Sequence, residues 1–195
     1  MSVCPPDQSK QHLRAAALAK RDALSGADRA AAAEVIASRG LPFEIARGTV
    51  VAGYAPIRSE IDPAPLMRKL AARGAQLALP VIAGRDRPLR FRAWSQSDKL
   101  IGGPLGILEP SPEAAEIIPD IVLAPLAAFD RAGHRLGYGA GHYDRTLLQL
   151  RAIRTIAAVG VAFAVQEIAV IPTQPHDVAL DFVLTETQSF DFRSR

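Results

Sequence analysis

The sequence has few of the features that mark secreted or membrane-bound proteins. It contains one cysteine, Cys4, among 195 residues, so no disulfide can form within the chain, and we expect a reducing compartment, the cytoplasm. No apolar run approaches the roughly 18 residues that cross a bilayer. The opening MSVCPPDQSK lacks the apolar segment of a secretory signal. We therefore expect a cytoplasmic protein that does not bind membranes.

Several motifs with known chemistry are also missing. The histidines show no zinc spacing, and no glycine-flanked serine elbow is present. The net charge is +3 and the pI is about 9.3, but no block of five or six basic residues occurs, so nucleic acid is not an expected partner. A mild positive excess favours anionic small ligands instead.

The order of predicted elements indicates one α/β domain spanning residues 1–195. Helical patterns cover residues 9–24 and 28–39, with Ser9 as the expected cap of the first. Apolar runs predict strands near residues 49–54, 76–79, 121–124, 156–163 and 182–185. This alternation predicts a three-layer α/β/α fold with a mainly parallel central sheet and a small antiparallel appendage near residues 80–94. We expect residues 1–8 and 186–195 to be loose tails.

Residues 135–145, RLGYGAGHYDR, are the most informative segment. Glycines occupy alternate positions in it: Gly137, Gly139 and Gly141. Glycine lets the backbone approach a ligand closely and adopt positive φ. The segment lies between a predicted strand and a helix that is predicted to begin near Tyr143, and the first N–H groups of such a helix can bind phosphate. Arg135 and Arg145 add positive charge, and Asp144 can hold a magnesium ion against that phosphate. The alternative is a glycine-rich turn with solvated arginines.

The same segment resembles the signature of the 5-formyltetrahydrofolate cyclo-ligase family, also called 5,10-methenyltetrahydrofolate synthetase, which usually reads R-L-G-Y-G-G-G-Y-Y-D-R. Here Ala140 replaces a glycine and His142 replaces an aromatic residue. A second stretch resembles the family's W-x-x-x-D-x-L-x-x-G-x-x-G-I-x-E-P pattern. Its matching residues are Trp94, Asp98, Leu100, Gly103, Gly106, Ile107, Glu109 and Pro110.

This resemblance implies an ATP site that includes the amino-terminal helix. Lys10 and Arg14 match the family's Lys-x-x-x-Arg, and they share one side of the helix with Arg21. A solvated basic face is the alternative for these three residues. The expected ATP-binding residues are Lys10, Arg14, Arg135, Leu136, Gly137, Tyr138, Gly139, Ala140, Gly141, His142 and Tyr143. No covalent nucleophile is expected, and Arg135 would stabilise transition-state charge.

The resemblance also implies a magnesium ion and a folate pocket. Asp144 and Asp177 are the expected metal ligands, with Asp181 as the competing candidate; each could instead be a cap or a surface charge. Glu60 is expected to accept hydrogen bonds from the amino-pyrimidine ring of the folate, although most glutamates are surface groups. The expected folate-binding residues are Ala55, Glu60, Trp94, Tyr138, Gly139, Ala140, Gly141 and His142. Burial against the following loop is the alternative for Trp94.

The implied activity belongs to one-carbon metabolism. It is the ATP-dependent cyclisation of 5-formyltetrahydrofolate to 5,10-methenyltetrahydrofolate, with release of ADP and phosphate through a phosphorylated formyl intermediate. We expect small-molecule partners alone and a monomer. The alternatives are a sugar-phosphate isomerase of similar fold, which would not need ATP, and a non-catalytic regulator that binds nucleotide or folate.

Overall fold

The computed structural model describes residues 6–193. Its helices are α1 Pro6–Asp22, α2 Gly26–Arg39, α3 Ala64–Ala72 and α4 His142–Ile153, and 3-10 turns cover Pro104–Gly106 and Ala164–Gln166. Its strands are β1 Val50–Ala52, β2 Gln76–Val81, β3 Arg90–Ala93, β4 Ile101–Gly102, β5 Leu108–Glu109, β6 Ile121–Pro125, β7 Ala128–Phe129, β8 Arg135–Leu136, β9 Ala157–Val161, β10 Phe182–Leu184 and β11 Ser189–Asp191.

Seven strands form the central sheet, in the order β11-β10-β9-β6-β1-β2-β3. The five inner strands are parallel: β1 pairs with β6 and β2, and β9 pairs with β6 and β10. The outer strands, β11 and β3, pair antiparallel. Because the inner strands are parallel, their carboxyl ends meet at one edge of the sheet, where ligands bind in open α/β folds.

Helices cover both faces of the sheet. On one face, Ile36 of α2 and Leu66 of α3 join Val51 of β1 in one core cluster. On the other face, Leu147 of α4 packs with Val122 of β6 in a second cluster. Strands that are buried on both faces read as continuous apolar runs, which is the pattern in this sequence. The predicted three-layer fold with a mainly parallel sheet is confirmed.

Helix α1 occupies a different position from the three other helices. Its Ala17 packs with Ala128 of β7 and Leu136 of β8 in a small third cluster. The hairpin of β7 and β8 leads directly into residues 137–141, which we call the glycine segment. The packing of Ala17 therefore holds α1 beside residues 137–141.

The amino-terminal helix starts earlier than the sequence predicts. Within the described residues, α1 begins at Pro6, so Ser9 lies inside the helix and is not its cap. The prediction of a loose tail is wrong for residues 6–8. Proline is well suited to the first turn of a helix, because its missing N–H has no partner there in any case. Residues 1–5 lie outside the described part of the chain.

The carboxyl-terminal tail is also ordered where the structure describes it. The predicted loose tail at residues 186–195 is wrong for Ser189–Asp191, which forms the edge strand β11. Phe190 in this strand packs edge-on against buried Phe129, with ring centroids 5.2 Å apart. That apolar contact and the pairing with β10 stabilise the segment. Residues 194 and 195 are not described.

The antiparallel region predicted near residues 80–94 is part of the central sheet. β2 continues through Pro80, which is paired with Phe91 of β3. Two small antiparallel sheets, β4 with β5 and β7 with β8, lie outside the central sheet. Among residues 6–193, no helix combines the length and apolar character needed to cross a membrane.

Candidate active site

The glycine segment links β8 to α4 at the carboxyl edge of the sheet. Gly139 has φ +99° and Gly141 has φ +66°, conformations that favour glycine. Gly141 is the N-cap of α4, and no side chain caps this helix end. Ala140 does not have a positive φ, so its Cβ is compatible with the loop. The helix begins at His142, close to the predicted start, and its first N–H groups remain open to an anion.

Arg135 lies beneath this loop and is paired with Asp144. Its side chain is 3% exposed, and Nη2 is 2.9 Å from Asp144 Oδ1. Nη2 is close enough to Asp144 for an ion pair but is not oriented for a hydrogen bond. Within residues 6–193, neither Nη2 nor Nε of Arg135 has a hydrogen-bond partner. The guanidinium also lies 5.6 Å from the ring centroid of half-buried Tyr143. A buried guanidinium with unused donors can accept a further anion.

Helix α1 contributes two more cations to the same region. Lys10 Nζ is 2.5 Å from Asp177 Oδ2, and the two side chains are 10% and 20% exposed. Burial, the largest single effect, acts to raise the pKa of Asp177. The hydrogen bonds from Lys10 and Gln174 N, together with the charge of Lys10, outweigh it, so the pKa lies below the ordinary value. Arg14 Nε donates to Gly137 O at 2.7 Å. The structure therefore joins α1 to the glycine segment and to the turn at residue 177.

The two predicted metal ligands lie next to each other in space. Asp144 Oδ1 accepts a hydrogen bond at 3.1 Å from the backbone N–H of Val178, the residue that follows Asp177. Asp177 Oδ2 accepts from Gln174 N as well as from Lys10. The second oxygen of each carboxylate, Asp144 Oδ2 and Asp177 Oδ1, makes no hydrogen bond in the described structure. Asp177 Oδ1 lies 3.9 Å from Nε2 of exposed His176. A carboxylate oxygen on each of two neighbouring acids fits a magnesium ion that also binds phosphate and water.

Asp181 occupies a different place. It directly precedes β10, at the amino-terminal edge of the sheet, where Oδ2 accepts from Ala158 N at 2.7 Å and pairs with Arg151 at 2.8 Å. Its carboxylate therefore joins strands rather than facing the glycine segment. In the part of the chain that the structure describes, no group of three acidic, histidine or cysteine side chains is arranged to hold a metal alone. Phosphate oxygens and water would have to complete the shell.

The other wall of the site is the loop that follows β1. Ala55 in this loop is half-buried, and Glu60 farther along it is 8% exposed. Glu60 Oε2 accepts from Ile57 N at 2.9 Å. Burial raises the pKa of Glu60, and the Ile57 N–H, Tyr138 and Arg21 partly oppose the shift. A groove of about 500 Å³ opens beside Glu60 between α2 and α3.

Tyr138 connects the two halves of the site. Its ring lies 5.7 Å from the guanidinium of Arg21. Burial and the nearby charge of Glu60 raise the pKa of Tyr138 to about 12, so its hydroxyl stays protonated near neutral pH. That hydroxyl makes no aligned hydrogen bond within residues 6–193. A polar group held beside Glu60 without a partner is available to a ligand.

Arg21 lies beside the site, a position that the sequence did not predict. Its position on the same side of α1 as Lys10 and Arg14 was visible, but a solvated basic face was an equally good interpretation. The structure excludes that interpretation for Arg21, which is 1% exposed and donates from Nε to Ser59 Oγ at 2.9 Å. The helical spacing was the one signal that could have identified it.

Two predicted residues fall in less favourable places. Trp94 follows β3, which runs antiparallel to β2, so the chain there heads toward the amino-terminal edge and away from Glu60. The Trp94 ring packs against the core cluster that includes Leu77. The structure does not bring Trp94 together with Glu60. Leu136 is buried, 2% exposed, beside α1, so its side chain packs and only its backbone is near the site.

His142 and Arg145 attach the glycine segment to the turn at residues 84–88. His142 Nδ1 is 3.0 Å from Arg87 O. Arg145 Nη2 donates to Ala140 O and, at 3.5 Å, to Arg85 O. The histidine ring therefore faces this turn from the first position of α4. These contacts hold the outer side of the loop that contains Gly139 and Gly141.

Comparison with known proteins identifies the family. The profile of the 5-formyltetrahydrofolate cyclo-ligase family matches residues 6–186. The chain is 37% identical over 186 residues to the 5-formyltetrahydrofolate cyclo-ligase of Mycolicibacterium smegmatis, covering 91% of this chain and 94% of that protein. It is 32% identical over 150 residues to the Escherichia coli enzyme of the same name, covering 73% and 80%.

A solved structure agrees with this result. The NMR structure of Aquifex aeolicus 5,10-methenyltetrahydrofolate synthetase superposes with a TM-score of 0.77 at 30% sequence identity, covering 94% of this chain and 93% of that one. The Mycoplasma pneumoniae synthetase structure, at 24% identity, shares the fold with a TM-score of 0.71, covering 91% of this chain and 98% of that one. The family resemblance predicted from the sequence is confirmed.

Proposed function

Because this chain belongs to the 5-formyltetrahydrofolate cyclo-ligase family, we propose that it catalyses the ATP-dependent closure of 5-formyltetrahydrofolate to 5,10-methenyltetrahydrofolate, releasing ADP and phosphate. One observation carries this proposal. Two ion pairs, Lys10 with Asp177 and Arg135 with Asp144, flank an uncapped helix N-terminus beside the buried Glu60 loop. This arrangement suits a charged phosphate tail next to a polar, hydrogen-bonding organic ligand.

The reaction needs activation because a formamide oxygen is a poor leaving group. We infer that the formyl oxygen attacks the γ-phosphoryl group of ATP and that ADP leaves. N10 of the folate then attacks the activated formyl carbon, which closes the five-membered ring. N10 loses its proton, the phosphorylated oxygen departs as phosphate, and the methenyl cation remains. The protein's part is to align the two substrates and to neutralise charge, and no covalent nucleophile is required.

The ion pairs explain how the site can stay folded without ligand and still bind a highly charged one. In the ligand-free state each buried cation is neutralised by a carboxylate. When the nucleotide enters with magnesium, Arg135 and Lys10 turn toward phosphate oxygens. Asp144 and Asp177 are the residues that would hold the magnesium ion, which supplies positive charge to the triphosphate. Because partners are exchanged and none is lost, no buried charge is left alone.

The loop amides complete the nucleotide site. The N–H groups at the start of α4 can donate to phosphate, and the positive end of the helix dipole favours the negative charge. Arg14 holds the loop through Gly137 O and lies close to Gly139. We propose that Arg14 contacts a phosphate oxygen with its remaining donors.

We propose that Glu60 binds the folate. An ionised carboxylate can accept two parallel hydrogen bonds from an amino-pyrimidine ring. Tyr138, in the glycine segment, lies beside Glu60, and we propose that the formyl group meets the γ-phosphate next to it. Trp94 has no part in this arrangement.

A single spectrophotometric experiment tests the function. Purified protein is mixed with 5-formyltetrahydrofolate, ATP and magnesium, and formation of the methenyl product is followed by its near-ultraviolet absorbance. We expect product only when ATP and magnesium are both present, with one ADP formed per ring closed. Tight binding without product would indicate a regulator, and ATP-independent isomerisation of a sugar phosphate would indicate an isomerase.

We also infer that the protein works as a monomer in the cytoplasm. The single cysteine suits a reducing compartment. All the residues assigned to the site come from one chain. Light scattering at the concentration of the assay tests the oligomeric state, and a dimer that dissociates with loss of activity would contradict the inference.

A further inference from the structure

A buried arginine with unused donors lies behind the candidate folate site. Arg21, in the last turn of α1, is 1% exposed. Its Nε donates to Ser59 Oγ at 2.9 Å, but Nη1 and Nη2 have no hydrogen-bond partner within the described residues. Burying a guanidinium without a full set of partners is costly. We therefore ask what the buried guanidinium of Arg21 contributes to the protein that offsets this cost.

The loop that Arg21 holds is strained. Arg58 has φ +54° and is the one non-glycine residue with positive φ among residues 6–193. A side chain in that region persists only where the surroundings hold it. Ser59, the next residue, is bound to α1 twice, since its hydroxyl accepts from Arg21 and donates to Asp22. Glu60 follows directly, so this anchor determines where its carboxylate lies.

Arg21 also contacts the glycine segment. Its guanidinium lies 5.7 Å from the ring centroid of Tyr138, a distance at which a cation is attracted to an aromatic face. One side chain thus touches the loop of Glu60 and the loop of Gly139. These are the two parts of the site assigned to folate and to nucleotide.

The charge of Arg21 acts on Glu60 as well. The charged or titratable groups that act on Glu60 or lie close to it in the chain are Arg21 and Asp22 of α1, Tyr54 after β1, Arg58 and Asp62 of its own loop, Tyr138, and Tyr143 of α4. Arg29 and Arg68 reach the groove beside it from α2 and α3. Burial raises the pKa of Glu60. The Ile57 N–H and Tyr138 oppose the shift most, and Arg21 is the buried cation that adds to their effect.

We propose that Arg21 is a positioning residue for folate binding. Its side chain holds the strained Arg58–Glu60 segment and the Tyr138 ring, so that the Glu60 carboxylate is ionised and correctly placed to bind the substrate. This proposal rests on the proposed function. Arg21 does not touch the substrate itself, because its guanidinium is enclosed by protein. Its effect is therefore expected on folate binding rather than on ATP binding.

Three variants and a matched control test the proposal. Arg21→Met removes the charge and the anchor, Arg21→Lys keeps the charge, and Ser59→Ala removes the anchor while keeping the charge. The control is Arg73→Met, which breaks an exposed ion pair with Glu44 far from the site. For each variant, kcat and the KM values for 5-formyltetrahydrofolate and ATP are measured across pH, and circular dichroism checks that the protein is folded.

We expect Arg21→Met to raise the KM for folate about 10–100-fold, with the KM for ATP unchanged. The pH below which folate binding weakens should move upward in this variant, because Glu60 loses the cation that opposes its protonation. Arg21→Lys should restore that pH dependence and part of the affinity. Ser59→Ala should weaken folate binding without changing the pH dependence, and Arg73→Met should behave as wild type.

Other outcomes would overturn the proposal. It fails if Arg21→Met leaves the folate KM unchanged, or if it changes the folate and ATP KM values equally, which would indicate a purely structural residue. If Arg21→Met does not fold, Arg21→Lys and Ser59→Ala are compared instead. The proposal is refuted if both of these variants have the wild-type KM for folate and the wild-type pH dependence. A wild-type protein without cyclising activity would instead refute the proposed function.

Discussion

Replacing Arg135 with alanine should cost both activity and stability, for different reasons. The guanidinium is 3% exposed and lies 2.9 Å from Asp144, so in the proposed mechanism it is a preorganised charge in a site with little water. Loss of one such donor typically lowers turnover by about 10²–10³, or roughly 3–4 kcal/mol of transition-state stabilisation. We therefore expect kcat for cyclisation to fall by that factor in Arg135→Ala.

The stability loss arises from the partner left behind. Removing one member of a buried ion pair costs about 3–5 kcal/mol, because the other charge remains buried alone. Asp144 is 19% exposed, so solvent relieves part of the penalty and the lower end of that range applies. For a chain of this size, about 3 kcal/mol corresponds to a decrease in Tm of roughly 6–12 °C.

A double mutant separates the two effects. Arg135→Ala combined with Asp144→Ala removes the uncompensated charge, so thermal unfolding should return part of the way to the wild-type Tm while turnover stays low. Arg135→Lys keeps a positive charge but lacks the planar fork, and we expect intermediate activity. Turnover is followed by the near-ultraviolet absorbance of the product at saturating substrates, and stability by circular dichroism.

Two results would refute this reasoning. Undiminished turnover in Arg135→Ala would remove Arg135 from the reaction. Recovery of turnover in the double mutant would mean that the single mutant failed because Asp144 was unpaired, and that Arg135 does not act on the substrates directly.

Three further predictions concern the acids and the loop. Asp177→Asn should raise the KM for magnesium-ATP. It should also lower Tm at pH values above the ordinary pKa of aspartate, and this difference in Tm should vanish as the pH falls through the lowered pKa of Asp177. An equal Tm difference at all pH values would contradict the ion pair with Lys10. Glu60→Gln should abolish the loss of folate affinity at acid pH, because we attribute that loss to protonation of Glu60, whose pKa is raised. If the KM for folate still depended on pH in this variant, Glu60 would not be the group that binds the folate. Ala140→Gly should leave kcat unchanged and cost about 0.5–1 kcal/mol in the free energy of unfolding, because Ala140 does not have a positive φ and glycine adds chain entropy to the unfolded state; a large gain in kcat would show that the alanine Cβ obstructs the loop.

The local features of this protein follow from short stretches of sequence. The uninterrupted apolar run at Ile121–Pro125 gave a buried parallel strand, since both faces of such a strand are covered. The start of α4 within one residue of the predicted position followed from Gly141, which can adopt the left-handed conformation of the cap. These features depend on backbone conformation and on side chains only a few residues apart.

Two expectations meet a partner that is distant in sequence. Trp94 is expected in the folate pocket, but the antiparallel pairing of β3 with β2 directs the chain toward the opposite edge. Phe190 was assigned to a loose tail, but it packs against Phe129 from a distant part of the chain. In both cases the partner, and therefore the direction of burial, lies outside the local sequence.

The sequence by itself determined the parallel sheet, the glycine-lined helix start and the family, because backbone preferences and hydrophobic pattern act over short range. Only the tertiary structure decided which charges meet. Lys10 pairs with Asp177 across 167 positions of the chain, and Arg21 reaches Ser59 across 38. Electrostatic pairing depends on distance in space and on exclusion of water, and neither quantity exists until the helices have packed on the sheet.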